Sequence, residues 1–364
     1  MDTLIETPAL DSPYQILNHH GQLVGDPPNL TPEKLLSLHE AMWRTRLLSD
    51  KIVAMQRQGR AATFGPLVGQ EASAVGVGAP LKPQDWMAGS YREIGAYMAK
   101  GVKVQDFLDV YRGFPPPKGA DGANCLPIQI VIGTQVLHAV GLAMAARIKG
   151  DDAIAVGICG DGATSEGDVN EALNFAGVFK APAIIVFTNN GWAISMPRSQ
   201  QTSAPTLAAR GIGFGVPSKL VDGNDILAVY KTTSEAAERA RAGDGPTLIE
   251  LLTYRMGAHT TADDPTRYRP KEELEYWKER DPISRFRKYL FERNILDEKG
   301  EKQMTEAIET EINEAVEFVE KQTPLSPDAI FDMTFEQPTP RLQRQRAMMR
   351  RELDEIAAKN EGRA

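Results

Sequence analysis

Two short turns carry the chemistry this sequence offers. Gly160-Asp161-Gly162 and Asn189-Asn190 each follow an apolar run directly, with 26 residues between Gly162 and Asn189. The stretch from Ala153 to Ser195 reads as strand, acidic glycine turn, helix, strand and amide turn. A crossover helix makes such strands parallel, which brings both turns to one edge of a sheet and lets Asp161 meet Asn190. A carboxylate and an amide oxygen beside a glycine turn that opens a helix suit a magnesium-bound diphosphate. Magnesium prefers six oxygen ligands, and the Trp192 carbonyl just past the second turn is a third candidate donor. Gly162 allows close backbone approach to phosphate, and the amides near Ala163 and Thr164 can point at it.

The elements that position these turns follow from periodicity. Thr31-Pro32 caps and opens a helix whose apolar residues Leu35, Leu38, Met42, Leu47 and Ile52 recur at helical spacing. The residues CLPIQIVIG read as a short strand-like piece before a helix rich in Ala and Gly, in which His138 is a core or interface histidine. Lys219 to Gly223 reads as a third strand end, Asp225 to Arg241 as a helix, and TLIELLT (247–253) as a buried parallel strand. The alternation predicts an α/β fold with a doubly wound, mostly parallel sheet over residues 31–270, preceded by an extended arm at 1–30 and followed by a helical extension at 271–364. The loop after the last strand carries His259, and loops at strand C-terminal ends are where such folds keep their chemistry. Phe64, in a Gly/Pro loop, is either a pocket residue or a core anchor. Arg92 is either a phosphate ligand or the partner of a surface acid.

Composition narrows the classes. A net charge of -8 argues against nucleic acid as a partner, since phosphate backbones call for a basic face. Two distant cysteines, Cys125 and Cys159, make no metal pattern and fit a reducing compartment. The acidic, proline-bearing N-terminus lacks signal-peptide character and no apolar run is long enough to span a membrane, so the expectation is a cytoplasmic protein. A nucleotide-binding or non-catalytic structural subunit is the reading from another class. The first turn lacks GxGxxG and the chain has no GxxxxGK[ST], which weakens it.

The paired turns resemble the thiamine diphosphate motif, and the likeness spreads over residues 30 to 340. GQEAS (69–73), YRE (91–93), IVIGTQ (130–135), GDGATSEGD, NNGWAIS, VDGND, GPTLIE and AHTTADDPTRYR are similar to the alpha subunit of the decarboxylating first component of 2-oxo acid dehydrogenase complexes. The resemblance implies a thiamine diphosphate-binding fold and places Asp161, Asn190 and the Trp192 carbonyl on the magnesium ligands. Tyr91, Arg92, Gly162, Ala163 and His259 fall on positions that hold the cofactor. Ile132, with Ile130 beside it, falls on the apolar wedge beneath it. His259 is implied to be catalytic and Phe64 and Tyr91 to belong to the substrate pocket. The loops 113–123 and 255–270 are expected to frame the access route, and Thr260 and Thr261 lie where some members of the family are phosphorylated. With a single α/β domain, the chain is implied to take the glutamate that activates the cofactor from a beta subunit, in a heterotetramer of two alpha and two beta chains. That tetramer hands its acyl group to a lipoyl acyltransferase core. LPIQ before IVIGTQ leans toward pyruvate as the 2-oxo acid, while Phe64 and ATSEGD keep the branched-chain acids as the alternative.

Overall fold

The computed structural model describes residues 12–114, 123–323 and 325–361. Among them are the strands β1 (Trp86–Ala88), β2 (Ala155–Gly160), β3 (Ala183–Asn189), β4 (Trp192–Ala193), β5 (Met196–Pro197), β6 (Ser218–Asp222) and β7 (Thr247–Leu252). Five of these form one sheet in the order β1-β2-β3-β7-β6, parallel throughout, and β4 and β5 make a small antiparallel hairpin. Gly160 pairs with Thr188 and Asn189 with Leu252. The chain therefore leaves the sheet at Asp161, Asn190 and Thr253 along a single edge.

The strands are apolar at nearly every position because both faces are covered. Val156, Ile158, Ile184, Val186, Ile249 and Leu251 point into one core, shared with helices Glu71–Gly78 and Ile226–Arg241. The alternate residues Ala155, Cys159, Ala183, Ile185, Phe187 and Leu248 point into the other, shared with helices Thr134–Lys149 and Gly167–Val178. The first of these two helices lies close against β2. A Cβ added at Gly157 would come within 2.9 Å of Ala139 Cβ and 3.0 Å of the Val136 backbone.

Three features depart from the sequence reading. The strand-like piece after Cys125 is not a strand: Cys125 makes an isolated bridge to Met87, and beyond it Ile130 and Val131 are 76% and 71% exposed. The sheet's edge strand is instead Trp86–Ala88, too short to show a period in sequence. The N-terminal arm, over its described residues, is docked on the sheet. Tyr14 pairs with β6 through Tyr14 N–H to Leu220 O at 2.9 Å and Asp222 N–H to Tyr14 O at 3.0 Å. Ile16 and Leu17 are fully buried and both donate to Asp225 Oδ2 at 2.6 Å, while Asp225 Oδ1 caps the helix that follows.

The expected boundary at 270/271 falls inside a compact unit that runs to Val319. Helices Lys271–Lys278, Pro282–Glu292 and Glu298–Glu320 follow it, and Phe286, Leu290, Ile308 and Ile312 join the same core as Leu38 and Met42. The second unit, Glu320–Ala364, contains the helix Pro340–Glu361, anchored internally by Arg350 on Asp328 at 2.8 Å.

One buried charge cluster joins the N-terminal helix (Pro32–Arg57) to the loop that enters the site. Glu71 is fully buried and bonds the Arg46 guanidinium, which also reaches Asp281 at 2.8 Å. Removing the cation strands the carboxylate in the core. Arg46→Ala is expected to lower stability by about 3–5 kcal/mol in urea denaturation, with much of the loss recovered when Glu71→Gln is added.

Candidate active site

At the edge where β2, β3 and β7 end lies a cavity of about 210 Å³, lined on one side by Asp161, Gly162, Ala163, Asn190 and Trp192 and on the other by Tyr91, Arg92, Ile132 and His259. The two turns fit together closely. A Cβ at Gly162 would stand 2.7 Å from Ala193 Cβ, so only glycine lets the acidic turn lie against β4. Asp161 is 1% exposed and accepts a 2.7 Å hydrogen bond from Gln201 Nε2, and burial pushes its carboxyl above the usual range. A larger hollow of about 540 Å³ lies at the opposite ends of the strands, between Tyr14, Lys219 and Thr232. Lys219 there is already engaged, 3.3 Å from Glu235 and 4.0 Å from the Tyr14 ring, whereas the smaller cavity is where the two turns meet Arg92 and His259.

Two arginines stand at the smaller cavity, Arg92 in its lining and Arg255 behind it, and neither forms an ion pair with a carboxylate among the described residues. Arg92 is 8% exposed and donates to Pro66 O at 3.3 Å and to His259 O. Arg255, fully buried, donates to Trp192 O at 3.2 Å, Ile194 O at 2.6 Å and Tyr268 Oη at 3.0 Å. Burial first, and then Arg92, hold the Arg255 guanidinium below its usual range. Both guanidinium groups also lie against His259 Nδ1, at 3.3 and 3.1 Å. A guanidinium can only donate, so Nδ1 is an acceptor and the ring proton sits on Nε2. Burial, Arg92 and Arg255 lower the imidazole to about 4, against a smaller pull upward from Asp263. Tyr91 packs edge-on to this ring at 6.2 Å and lies under Arg92 at 4.9 Å. Glu93, 5% exposed, also lines the cavity and is pushed up by burial to about 7, with Oε2 lacking a hydrogen-bond partner.

Of the residues marked out by sequence, Tyr91, Arg92, Ile132, Asp161, Gly162, Ala163, Asn190, Trp192 and His259 meet at this one cavity. Phe64 does not line it: 1% exposed, its ring packs edge-on to Tyr111 at 4.9 Å. Ile130, 76% exposed, also lies outside the lining. The Trp192 carbonyl is within the site and already accepts from Arg255. Most of the loop 113–123 lies outside the described residues. Sequence reasoning missed Gln70, Glu93 and Arg255. All three are within reach of the sequence, since GQEAS and YRE carry the first two and Arg255 opens the 255–270 loop, but no pattern there marks an arginine out from its neighbours. No group of three or more His, Cys, Asp or Glu side chains gathers for a metal among the described residues, so any cation here depends on amide and carbonyl oxygens beside Asp161.

Fold and site together define an α/β protein with a cavity, lined by an arginine and two strand-end turns, at the C-terminal ends of parallel strands. Comparison with known proteins narrows the class. Residues 39–328 match the family described as dehydrogenase E1 component. The chain is 47% identical over 326 residues to a 3-methyl-2-oxobutanoate dehydrogenase subunit alpha of Mycobacterium tuberculosis, covering 89% of each chain. It is 41% identical to a pyruvate dehydrogenase E1 component subunit alpha of Staphylococcus epidermidis over 92% of this chain and 91% of that one. A Staphylococcus aureus protein of the same name matches at 43% over 85% of each. The chain belongs to the dehydrogenase E1 component family, whose members depend on thiamine diphosphate. No helix among the described residues is long and apolar enough to cross a membrane.

The His259 environment sets a pH signature. An ordinary unfolded histidine titrates near 6.5, so the folded state loses stability at this group as pH falls from about 6.5 to 4, where the unfolded chain takes up the proton first. Nitrogen-15 NMR is expected to show His259 neutral with its proton on Nε2 down to about pH 5, and Arg255→Met to raise its pKa.

Proposed function

We propose that this chain is the alpha subunit of a thiamine diphosphate- and magnesium-dependent 2-oxo acid dehydrogenase, which decarboxylates a short aliphatic 2-oxo acid and passes the acyl group to a lipoyl domain. The observation that carries this reading is one cavity in which oxygen ligands from Asp161 and Asn190 share the lining with Arg92, which forms no ion pair with a carboxylate among the described residues, while Arg255 stands behind the lining on Trp192 O and His259. Such a combination suits a divalent cation held between protein oxygens and a diphosphate. The residues fit the group on an independent ground: Gln70 Nε2 is a buried donor without a partner on the cavity wall, beside Arg92.

When bound, thiamine diphosphate would supply the nucleophilic carbon and the electron sink that decarboxylation needs. Asp161, Asn190 and the Trp192 carbonyl would hold magnesium, and Tyr91, Arg92, Ala163 and His259 the diphosphate, with Ile132 as apolar support. His259, with Nδ1 held by the two guanidinium groups, would offer its Nε2–H as a hydrogen-bond donor at the mouth.

The site is half a site. Small-molecule pockets span roughly 300–1,000 Å³, and this cavity measures about 210 Å³. Ile132 in its lining is 42% exposed, and the residues just before it in the chain, Ile130 and Val131, are bare at 76% and 71%. Ile148, Phe175, Val178 and Phe179 add further exposed apolar surface. A beta subunit, in a tetramer of two alpha and two beta chains, would cover such a surface and bring the activating glutamate. A lipoyl acyltransferase core would receive the acyl group. Free Cys125 and Cys159 are in keeping with a cytoplasmic setting. The substrate is pyruvate or a branched-chain 2-oxo acid, and relatives of both names align over most of this chain.

Co-expression with a candidate beta chain, followed by 2-oxo acid oxidation with an artificial electron acceptor, tests the reading on pyruvate and 3-methyl-2-oxobutanoate side by side. Turnover of neither by an assembled, cofactor-loaded tetramer would sink it. Asp161→Ala is expected to abolish magnesium-dependent cofactor binding in calorimetry, whereas tight binding of NAD or ATP in its place would favour a nucleotide-binding subunit.

A further inference from the structure

Gln70 stands at the cavity wall where the loop before the Glu71–Gly78 helix reaches it, and is 3% exposed. The loop is fixed from behind, since the neighbouring Glu71 is bound by Arg46 and accepts the Gly69 N–H at 3.0 Å.

The orientation of two amides follows from one backbone group. The Trp192 N–H can only donate, and it lies 3.3 Å from Asn190 Oδ1, which sets that oxygen on the Trp192 side. Asn190 Nδ2 is thereby turned to Gln70 and donates to Gln70 Oε1 at 3.1 Å. Gln70 Nε2 is left as a buried donor with no acceptor in the protein. Burying an amide donor unpaired costs about 1–3 kcal/mol, so native structures rarely leave one without a reason. The wall it belongs to also carries Arg92, and the acceptor that fits beside a guanidinium is an anionic oxygen.

We propose that Gln70 is a positioning residue for the metal and diphosphate: its Oε1 holds the Asn190 amide with Oδ1 presented for a cation, while its Nε2 donates to an oxygen of the diphosphate. The inference deepens the proposed function and rests on it. Gln70 would then serve both ligands of the site with one side chain, and the residue that anchors it, Glu71, would reach the chemistry only through it.

The test uses the tetramer reconstituted with its beta chain and two variants, Gln70→Met and Gln70→Glu. Magnesium is titrated calorimetrically at saturating thiamine diphosphate, and thiamine diphosphate at saturating magnesium, with the thermal midpoint of each ligand-free tetramer measured alongside. Gln70→Met is expected to weaken magnesium about 10–100-fold, as loss of a residue behind a metal ligand does, at an unchanged midpoint. Gln70→Glu is expected to weaken thiamine diphosphate further, because a carboxylate then faces the anion. Added to Asn190→Ala, Gln70→Met should cost magnesium affinity little more, since the amide it orients is gone. Wild-type affinities in both variants overturn the proposal, as does a loss that appears only together with a lowered midpoint. A wild-type tetramer that binds neither ligand overturns the functional reading itself, a result distinguishable from variants that bind normally.

Discussion

The site depends on a register. Because β2 and β3 are parallel neighbours with Gly160 opposite Thr188, the residue after each strand is delivered to the same place. A carboxylate and an amide that lie far apart in sequence become adjacent with no long-range loop to hold them. β7 continues the same register from Asn189 to Leu252 and brings in Arg255 and His259 behind them. Since a one-residue slip in a strand would turn every side chain to the opposite face, the apolar alternation that fills two cores also guards the site geometry. Gly157 and Gly162 serve that arrangement in different ways, one by letting a helix lie close on the sheet and the other by letting a turn lie close on β4.

The electrostatics of the cavity follow from burial without pairing. Arg92 and Arg255 donate to backbone carbonyls, a tyrosine hydroxyl and one imidazole nitrogen, which orients them without an ion pair to a carboxylate among the described residues. Burial first, and then the two cations, hold the His259 imidazole down to about 4. Asp161 and Glu93, both raised by burial, mark where a cation or a hydrogen-bond donor would restore the balance. The same physics has the opposite outcome at Glu71, where Arg46 and Asp281 complete a cluster that closes the core instead of opening a site.

The surface beside the cavity is as informative as its interior. A run of exposed branched aliphatics at 130–132 next to a shallow polar cavity is unfavourable in an isolated chain and ordinary at a subunit boundary. Membership in the dehydrogenase E1 component family and the subunit names of its relatives are in keeping with that view.

Sequence alone determined the repeating strand and helix order, the two turns that face each other and the motifs that led to the family, because periodicity and glycine turns are local properties of a chain. It also reached nine residues of the cavity wall, the turn residues through the strand ends they follow and Tyr91, Arg92 and Ile132 through the family resemblance. Tertiary structure decided the rest. Phe64 was drawn into the core by Tyr111, the segment beyond Leu126 was left out of the sheet, and the described part of the arm was recruited by Asp225 and the open edge of β6. Arg255 gained its place only because three strands end side by side, and the unpaired donor of Gln70 exists only because a backbone N–H at Trp192 fixed the amide next to it. These are consequences of which groups share a buried space, and a linear chain does not carry that information until its strands have found their register.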